Sequence, residues 1–172
     1  LYFNKTAKLE EAMITVQPIG FAHNTRQTPE DDNWGGVVST ITLAEAFDEE
    51  SWQGIETFSH AEVIFYFHQV EDEKIVRRAR HPRNNPDWPL IGIFAQRGKN
   101  RPNRLGLATV RILKREGRTL FVTGLDAING TPVLDIKPVL QEFLPQEPVR
   151  QPAWATELMH NYWGPAAELS KV

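Results

Sequence analysis

No cysteine occurs anywhere in the 172-residue chain, which excludes disulfides, thiolate metal sites and a thiol nucleophile. Long hydrophobic runs are missing too. None approaches the roughly 18 to 20 residues that a membrane-spanning helix needs. No signal-peptide pattern stands at the N-terminus, so a cytoplasmic location and no membrane partner are expected. There is no P-loop, no strand–GxGxxG–helix unit and no G-x-S-x-G elbow. The common nucleotide folds and the serine-hydrolase arrangement are therefore not indicated. The five histidines, His23, His60, His68, His81 and His160, show no HExxH or related spacing, and no metal site is expected.

What the chain does contain is a series of short β-type segments. "ITVQPIGFA" (14–22), "GVVSTITL" (36–43), "AEVIFYFHQV" (61–70) and "LIGIFAQ" (90–96) are apolar or β-branched runs of the kind that favours pleated strands. The 61–70 run is apolar on both alternating faces until His68, which predicts a central strand. "LATVRILKREGRTLFVTGL" (107–125) reads as a hairpin turning at "REGR", with Gly117 in the positive-φ position. "TPVLDIKP" (131–138) is a last short strand closed by proline. Helical pattern is confined to one or two turns within 42–55 and a short helix over 152–163 that ends at Gly164 and Pro165. No β-α-β alternation is present. The fold class expected is all-β, an antiparallel sheet or barrel with short peripheral helices.

The charge is unevenly spread. The net charge is −3, yet Arg77, Arg78, Arg80, Arg83, Arg97, Lys99, Arg101 and Arg104 share residues 77–104 with a single acid, Asp87. Acids gather earlier, at Glu30, Asp31, Asp32, Glu45, Asp48, Glu49, Glu50 and Glu56. A segregated basic stretch suits an anionic partner. Pairing with the acidic segment would account for the same charges.

Four polar segments follow apolar runs: "NTRQTP" (24–29), "FHQ" (67–69), the segment carrying Arg97, and "LDAINGTPVLDIKP" (125–138). Loops at strand ends on a rigid scaffold commonly build binding sites. Each residue also has a structural reading: Arg26 as a salt-bridge partner, His68 as a core histidine, Asp126 and Asn129 as turn formers, and Asp135 with Lys137 as a surface pair. From the residues alone, the chain is an all-β domain with a basic loop and an anion or nucleotide site.

Three blocks taken in order narrow this. "GIETFSHAEVIFYFHQ", "GIFAQRGKNRPNRLGLATVRIL" and "LDAINGTPVLDIKPVL" resemble the signature blocks of the TsaA-like (YaeB/VirR) family, whose characterised members are TrmO-type tRNA methyltransferases. The likeness runs from about Ile14 to Leu144. It implies a TsaA-like β-barrel domain over 14–144. Residues 1–13 then form an N-terminal extension, whose "LYF" reads as a tag remnant, and 145–172 a short helical tail. It further implies a small antiparallel barrel that binds S-adenosylmethionine without a Rossmann fold. A homodimer with the cofactor near the interface is expected. So is methyl transfer to N6 of threonylcarbamoyladenosine at position 37 of a tRNA. No DNA partner is expected.

Carried over by position, the resemblance implies cofactor contacts at Thr25, Arg26, Gln27, His68, Gln69, Arg97, Leu107, Asp126, Ala127, Ile128, Asn129 and Gly130. Arg101, Arg104 and Lys137 become substrate candidates, with the basic cluster at 77–83 also free for tRNA phosphates, and Asp135 the candidate proton acceptor, since an exocyclic adenine nitrogen must lose a proton. Arg101 and Arg104 are expected beyond Arg97, where Pro102 and Gly106 shape a turn. Departures are also clear. Thr25 replaces the family's proline, Arg104 a proline, Asn129 an aspartate and Val139 a tyrosine, and longer members continue into a further C-terminal domain. Two other functions fit the same residues: methyl transfer to another RNA or a small molecule, and a non-catalytic cofactor- or RNA-binding module. RNA-stacking surfaces expose aromatics on a sheet face. The aromatics of "VIFYFH" lie in an apolar strand instead, which favours core.

Overall fold

The computed structural model describes residues 14–164. The expected 1–13 extension and residues 165–172 of the expected tail lie outside the described residues. The described residues form β1 (Gly20–His23), β2 (Val38–Leu43), β3 (His60–Tyr66), β4 (Ala79–Arg80), β5 (Ile91–Gly92), β6 (Leu105–Glu116), β7 (Thr119–Thr123), β8 (Pro132–Pro138) and one short α-helix, α1 (Ala153–Leu158). Six strands close a barrel in the order β1-β2-β7-β6-β3-β8, every neighbouring pair antiparallel. β4 and β5 form a separate two-residue ribbon.

Alternation along the strands fills the barrel. Gly106, Ala108, Val110 and Ile112 of β6 point inward, and Leu105, Leu107, Thr109 and Arg111 point out. Ala61, Val63 and Phe65 of β3, Leu120 and Val122 of β7, Ile41 and Val133 complete the core. β3 is paired on both sides, as is every strand of the closed barrel, and its outer face (His60, Glu62, Ile64, Tyr66) is exposed or half-buried. The β6–β7 hairpin turns at Gly117, with φ of 54°.

Three expectations need correction. The first strand is shorter than 14–22. Pro18 has no N–H to pair, and regular pairing begins at Ile19, whose N–H meets Val133 at 2.8 Å. The 90–96 run is not a barrel strand. Only Ile91 and Gly92 pair, with β4, and Ile93–Ala95 then wind into a 3₁₀ turn. Gln96 fixes that bend, its amide donating to Ile91 O and Arg80 O at 2.8 and 3.0 Å. Gly106 belongs to strand β6, not to a turn. It lies opposite Phe65, and a Cβ there would stand 2.3 Å from ring carbons of Phe65. The missing side chain makes room for that ring. The bend itself falls at Arg101–Arg104, where the Arg104 N–H donates to Arg101 O at 2.9 Å.

Candidate functional site

An antiparallel barrel sends alternate connections to opposite rims. Here the β1–β2 loop (24–37), the long β3–β6 connection (67–104) and the β7–β8 loop (124–131) all emerge at one rim. The four polar segments singled out in the sequence open at that rim. Lys137 and Asp135 are exceptions. Lys137 stands near the opposite end of β8, beside an apolar groove of about 450 Å³ lined by Pro138, Val139, Leu140, Phe143 and Leu144. Asp135 lies on the outer wall, opposite Ile64 and paired with Lys137 at 2.9 Å. Three residues of strand, about 10 Å, separate Asp135 from the rim end of β8.

Asn24 organises the first half of the rim. Its amide donates to Ser39 Oγ at 2.9 Å and to Ala127 O at 2.8 Å, while its Oδ1 accepts the Arg26 N–H at 2.9 Å. Asn129 answers from the other loop. Its N–H donates to Arg26 O at 2.7 Å, and its side chain meets Gln27 Oε1 at 3.4 Å. Gly130, at φ 78°, turns the chain back so that its N–H reaches Ala22 O at 2.8 Å. Thr25, Arg26, Gln27 and 126–130 are thereby one unit. Ala127 and Ile128 are buried in it and shape its floor. The Arg26 guanidinium is committed to its own loop: it pairs with Glu30, donates to Asn33 O, and lies over the Trp34 ring at 5.1 Å.

The second half is built around β3 and β6. Arg97 is exposed, and its guanidinium donates to Leu107 O. His68 and Gln69 follow in the turn after β3, which is tied to β6 by the Phe67 N–H donating to Arg104 O at 2.8 Å. Arg104 adopts φ of 51°, a value that proline cannot take, so the departure from the family pattern carries its own backbone geometry. Its guanidinium pairs with Asp72, bonds Tyr66 Oη at 2.8 Å and is only 17% exposed. Arg101 donates to Gln96 O at 3.2 Å. Arg83 pairs with Asp32 at 2.8 Å, so part of the basic stretch does meet the acidic segment. Among the described residues, Arg77, Arg78, Lys99 and Arg101 have no ion-pair partner, and Arg77 and Arg78 are exposed.

Asp126 joins the halves. Burial pushes its carboxyl above the usual range. The hydrogen bond from Tyr162, a backbone N–H and the positive charge of Arg97 oppose that rise. Tyr162 donates its hydroxyl to one carboxylate oxygen. The other, Oδ1, is buried with no hydrogen-bond partner among the described residues. A buried acceptor left open is costly. Beside an exposed cation, it suits a ligand that brings both a donor and an anionic group. Tyr162 packs on a small second core of Trp34, Val37 and Ile128.

Sequence reasoning missed Trp34 and Tyr162, gave Asn24 no role of its own within 24–29, and expected Arg83 to be free for phosphate, whereas it pairs with Asp32. Asn24 was legible as the residue before "TRQ". Tyr162 gave no local signal, because it reaches the rim from 36 positions beyond Asp126.

Comparison with known proteins bears on the family and the fold. Residues 20–143 match the family model of the tRNA-methyltransferase O N-terminal domain. The human tRNA (adenine(37)-N6)-methyltransferase is 36% identical over 117 residues, covering 68% of this chain and 26% of that protein. A Pyrococcus abyssi protein described as a "Probable S-adenosyl-L-methionine-binding protein" is 32% identical over 154 residues, covering 86% of this chain and 79% of that one. The crystal structure of TrmO from Pseudomonas aeruginosa superposes with a TM-score of 0.66 at 28% identity, covering 81% of this chain and 61% of that chain. The chain thus spans about a quarter of the human relative and three fifths of the solved TrmO chain. With a closed antiparallel barrel and all three family blocks in order, this chain belongs to the tRNA-methyltransferase O N-terminal domain family.

Proposed function

We propose that this chain is an S-adenosylmethionine-dependent methyltransferase acting on N6 of threonylcarbamoyladenosine at position 37 of a tRNA, in the cytoplasm. The observation that carries the reading is the convergence of 24–29, 67–69, the Arg97 segment and 125–131 on one barrel rim, around the exposed Arg97 and the buried, unpartnered Oδ1 of half-buried Asp126. These residues fit the cofactor. Asp126 Oδ1 suits ribose hydroxyls or the methionine ammonium, and Arg97 suits the methionine carboxylate. Gln27, His68 and Gln69 stand at the same rim to hold the adenine or the amino-acid part. Arg26 contributes through its backbone and by stiffening the 24–34 loop.

Bound there, the sulfonium supplies an already activated methyl group. The protein's task is then alignment of the adenine nitrogen with it. Asp135, held by Lys137 on the outer wall, is not given the proton-accepting role. The exposed Arg77 and Arg78, with Arg101, are the candidates for tRNA phosphates. Arg104, engaged by Asp72 and Tyr66, serves the loop first. A homodimer is part of the proposal. Leu105 and Leu107, both 42% exposed, form an apolar strip on the outer face of β6, and Phe94 on the Arg97 segment is 78% exposed. Apolar surface of this kind suits burial against a second copy.

Titration calorimetry with S-adenosylmethionine tests the site. Wild type should bind and Arg97→Ala should bind at least tenfold more weakly. No binding by the wild type would overturn the reading.

A further inference from the structure

Resting on that reading of the rim, the structure assigns the segment Glu157–Gly164 as a wall of the cofactor site. Within it Tyr162 is a positioning residue that holds Asp126 so that Oδ1 meets the donor groups of S-adenosylmethionine. The segment is docked along its length. Its carbonyls at Asn161, Tyr162 and Trp163 accept the N–H groups of Asn33, Trp34 and Gly35 at 3.1, 2.8 and 2.8 Å. Gly35 allows this approach, since a Cβ there would lie 2.3 Å from Trp163 O. At its start, Glu157 accepts the Trp88 indole N–H at 2.9 Å. The segment therefore fastens the 24–37 loop to the 77–90 loop. Through Tyr162 it also reaches the 124–131 loop.

Toward Asp126, the Tyr162 hydroxyl is the donor. Its ring lies on Trp34, Val37 and Ile128, which fixes the direction of the hydroxyl. Burial first, then the Asp126 charge, pushes its phenol well above the ordinary range, against the weaker pull of Arg97 and Arg83. The hydroxyl keeps its proton and gives it to one oxygen of Asp126. That bond occupies Oδ2 and leaves Oδ1 as the carboxylate oxygen with no hydrogen-bond partner among the described residues. The charged groups facing the pair are Arg97 from the 93–104 segment and Arg83 from the 77–90 loop, itself paired with Asp32.

The test is calorimetry with S-adenosylmethionine on wild type, Tyr162→Phe, Asp126→Asn and the double variant, with melting temperatures recorded. A wall predicts about tenfold weaker binding for Tyr162→Phe, the size of one hydrogen bond to a charged group, and a near-native melting temperature. In the Asp126→Asn background the same change should cost less than twofold, because its effect passes through the carboxylate. Unchanged or tighter binding by Tyr162→Phe would overturn the proposal, tighter binding marking the segment as a plug. An equal loss in both backgrounds would overturn the positioning role. If the wild type binds nothing, the cofactor reading itself fails. If it binds and Tyr162→Phe matches it, only the wall fails. Hydrogen exchange on the wild type needs no variant. The Asn33, Trp34 and Gly35 amides should slow on cofactor addition, and faster exchange would contradict the wall.

Discussion

The side-chain amide of Asn24 donates to the backbone carbonyl of Ala127 at 2.8 Å and fastens the loop after β1 to the loop after β7. The same amide reaches the buried Ser39 hydroxyl. Asn24→Ala removes both bonds and the acceptor for the Arg26 N–H. Unfilled buried polar groups cost about 1–3 kcal/mol. The expected outcome is that much loss in urea unfolding, with weaker cofactor binding. An unchanged midpoint would show that the two loops are held by other means.

Gly106 lies under the Phe65 ring. Gly106→Ala should destabilise the barrel by about 1–3 kcal/mol through overpacking. In the background of Phe65→Leu the cost should shrink, since the ring is the obstacle. Thermal melts of the four proteins measure this coupling, and equal costs in both backgrounds would contradict it.

Arg104 combines φ of 51°, an N–H bonded to Arg101 O and a side chain shared between Asp72 and Tyr66. Arg104→Pro cannot keep the first two. It should cost about 1–3 kcal/mol beyond Arg104→Gly, which loses the side chain but keeps the backbone. Urea midpoints of both variants decide it. The proline form being as stable as the glycine form would mean that the turn re-forms in another conformation.

Asp126 is held above its ordinary carboxyl value of 3.8, chiefly by burial. A carboxyl raised on folding contributes its stability below that value and loses it as pH rises through the folded value. Asp126→Asn should therefore be more stable than wild type at pH 7, the advantage fading as pH falls through the raised folded value and gone by about pH 4. Melts across pH 3–8 should show the two curves converging in acid. A variant less stable at pH 7 would show that the charge is better compensated than its burial implies. The same variant should bind cofactor more weakly, so stability and function part at this residue.

Much of the barrel was legible because period-2 alternation in β6 and the apolar run of β3 are strong local patterns. The site was legible as segments: antiparallel connection alone brings 24–29, 67–69, 97 and 125–130 to one rim. Other features depended on contacts that no local pattern encodes. The 90–96 run looks like a strand by composition, but its partners are the carbonyls of Arg78 and Arg80, so it winds into a turn. Gly106 read as a bend residue because its reason, the Phe65 ring, lies 41 positions earlier in the chain. Tyr162 was invisible because only the docked tail brings it to Asp126. Lys137 shares a motif with the rim residues, yet the length of β8 carries it to the other end.

The most direct measurement is incubation of the chain with methyl-labelled S-adenosylmethionine and tRNA bearing or lacking threonylcarbamoyladenosine, followed by nucleoside digestion. The label should appear on N6 of threonylcarbamoyladenosine, only in the modified tRNA, and should be lost with Arg97→Ala. Label on another nucleoside, or on no tRNA at all, would contradict the proposed reaction.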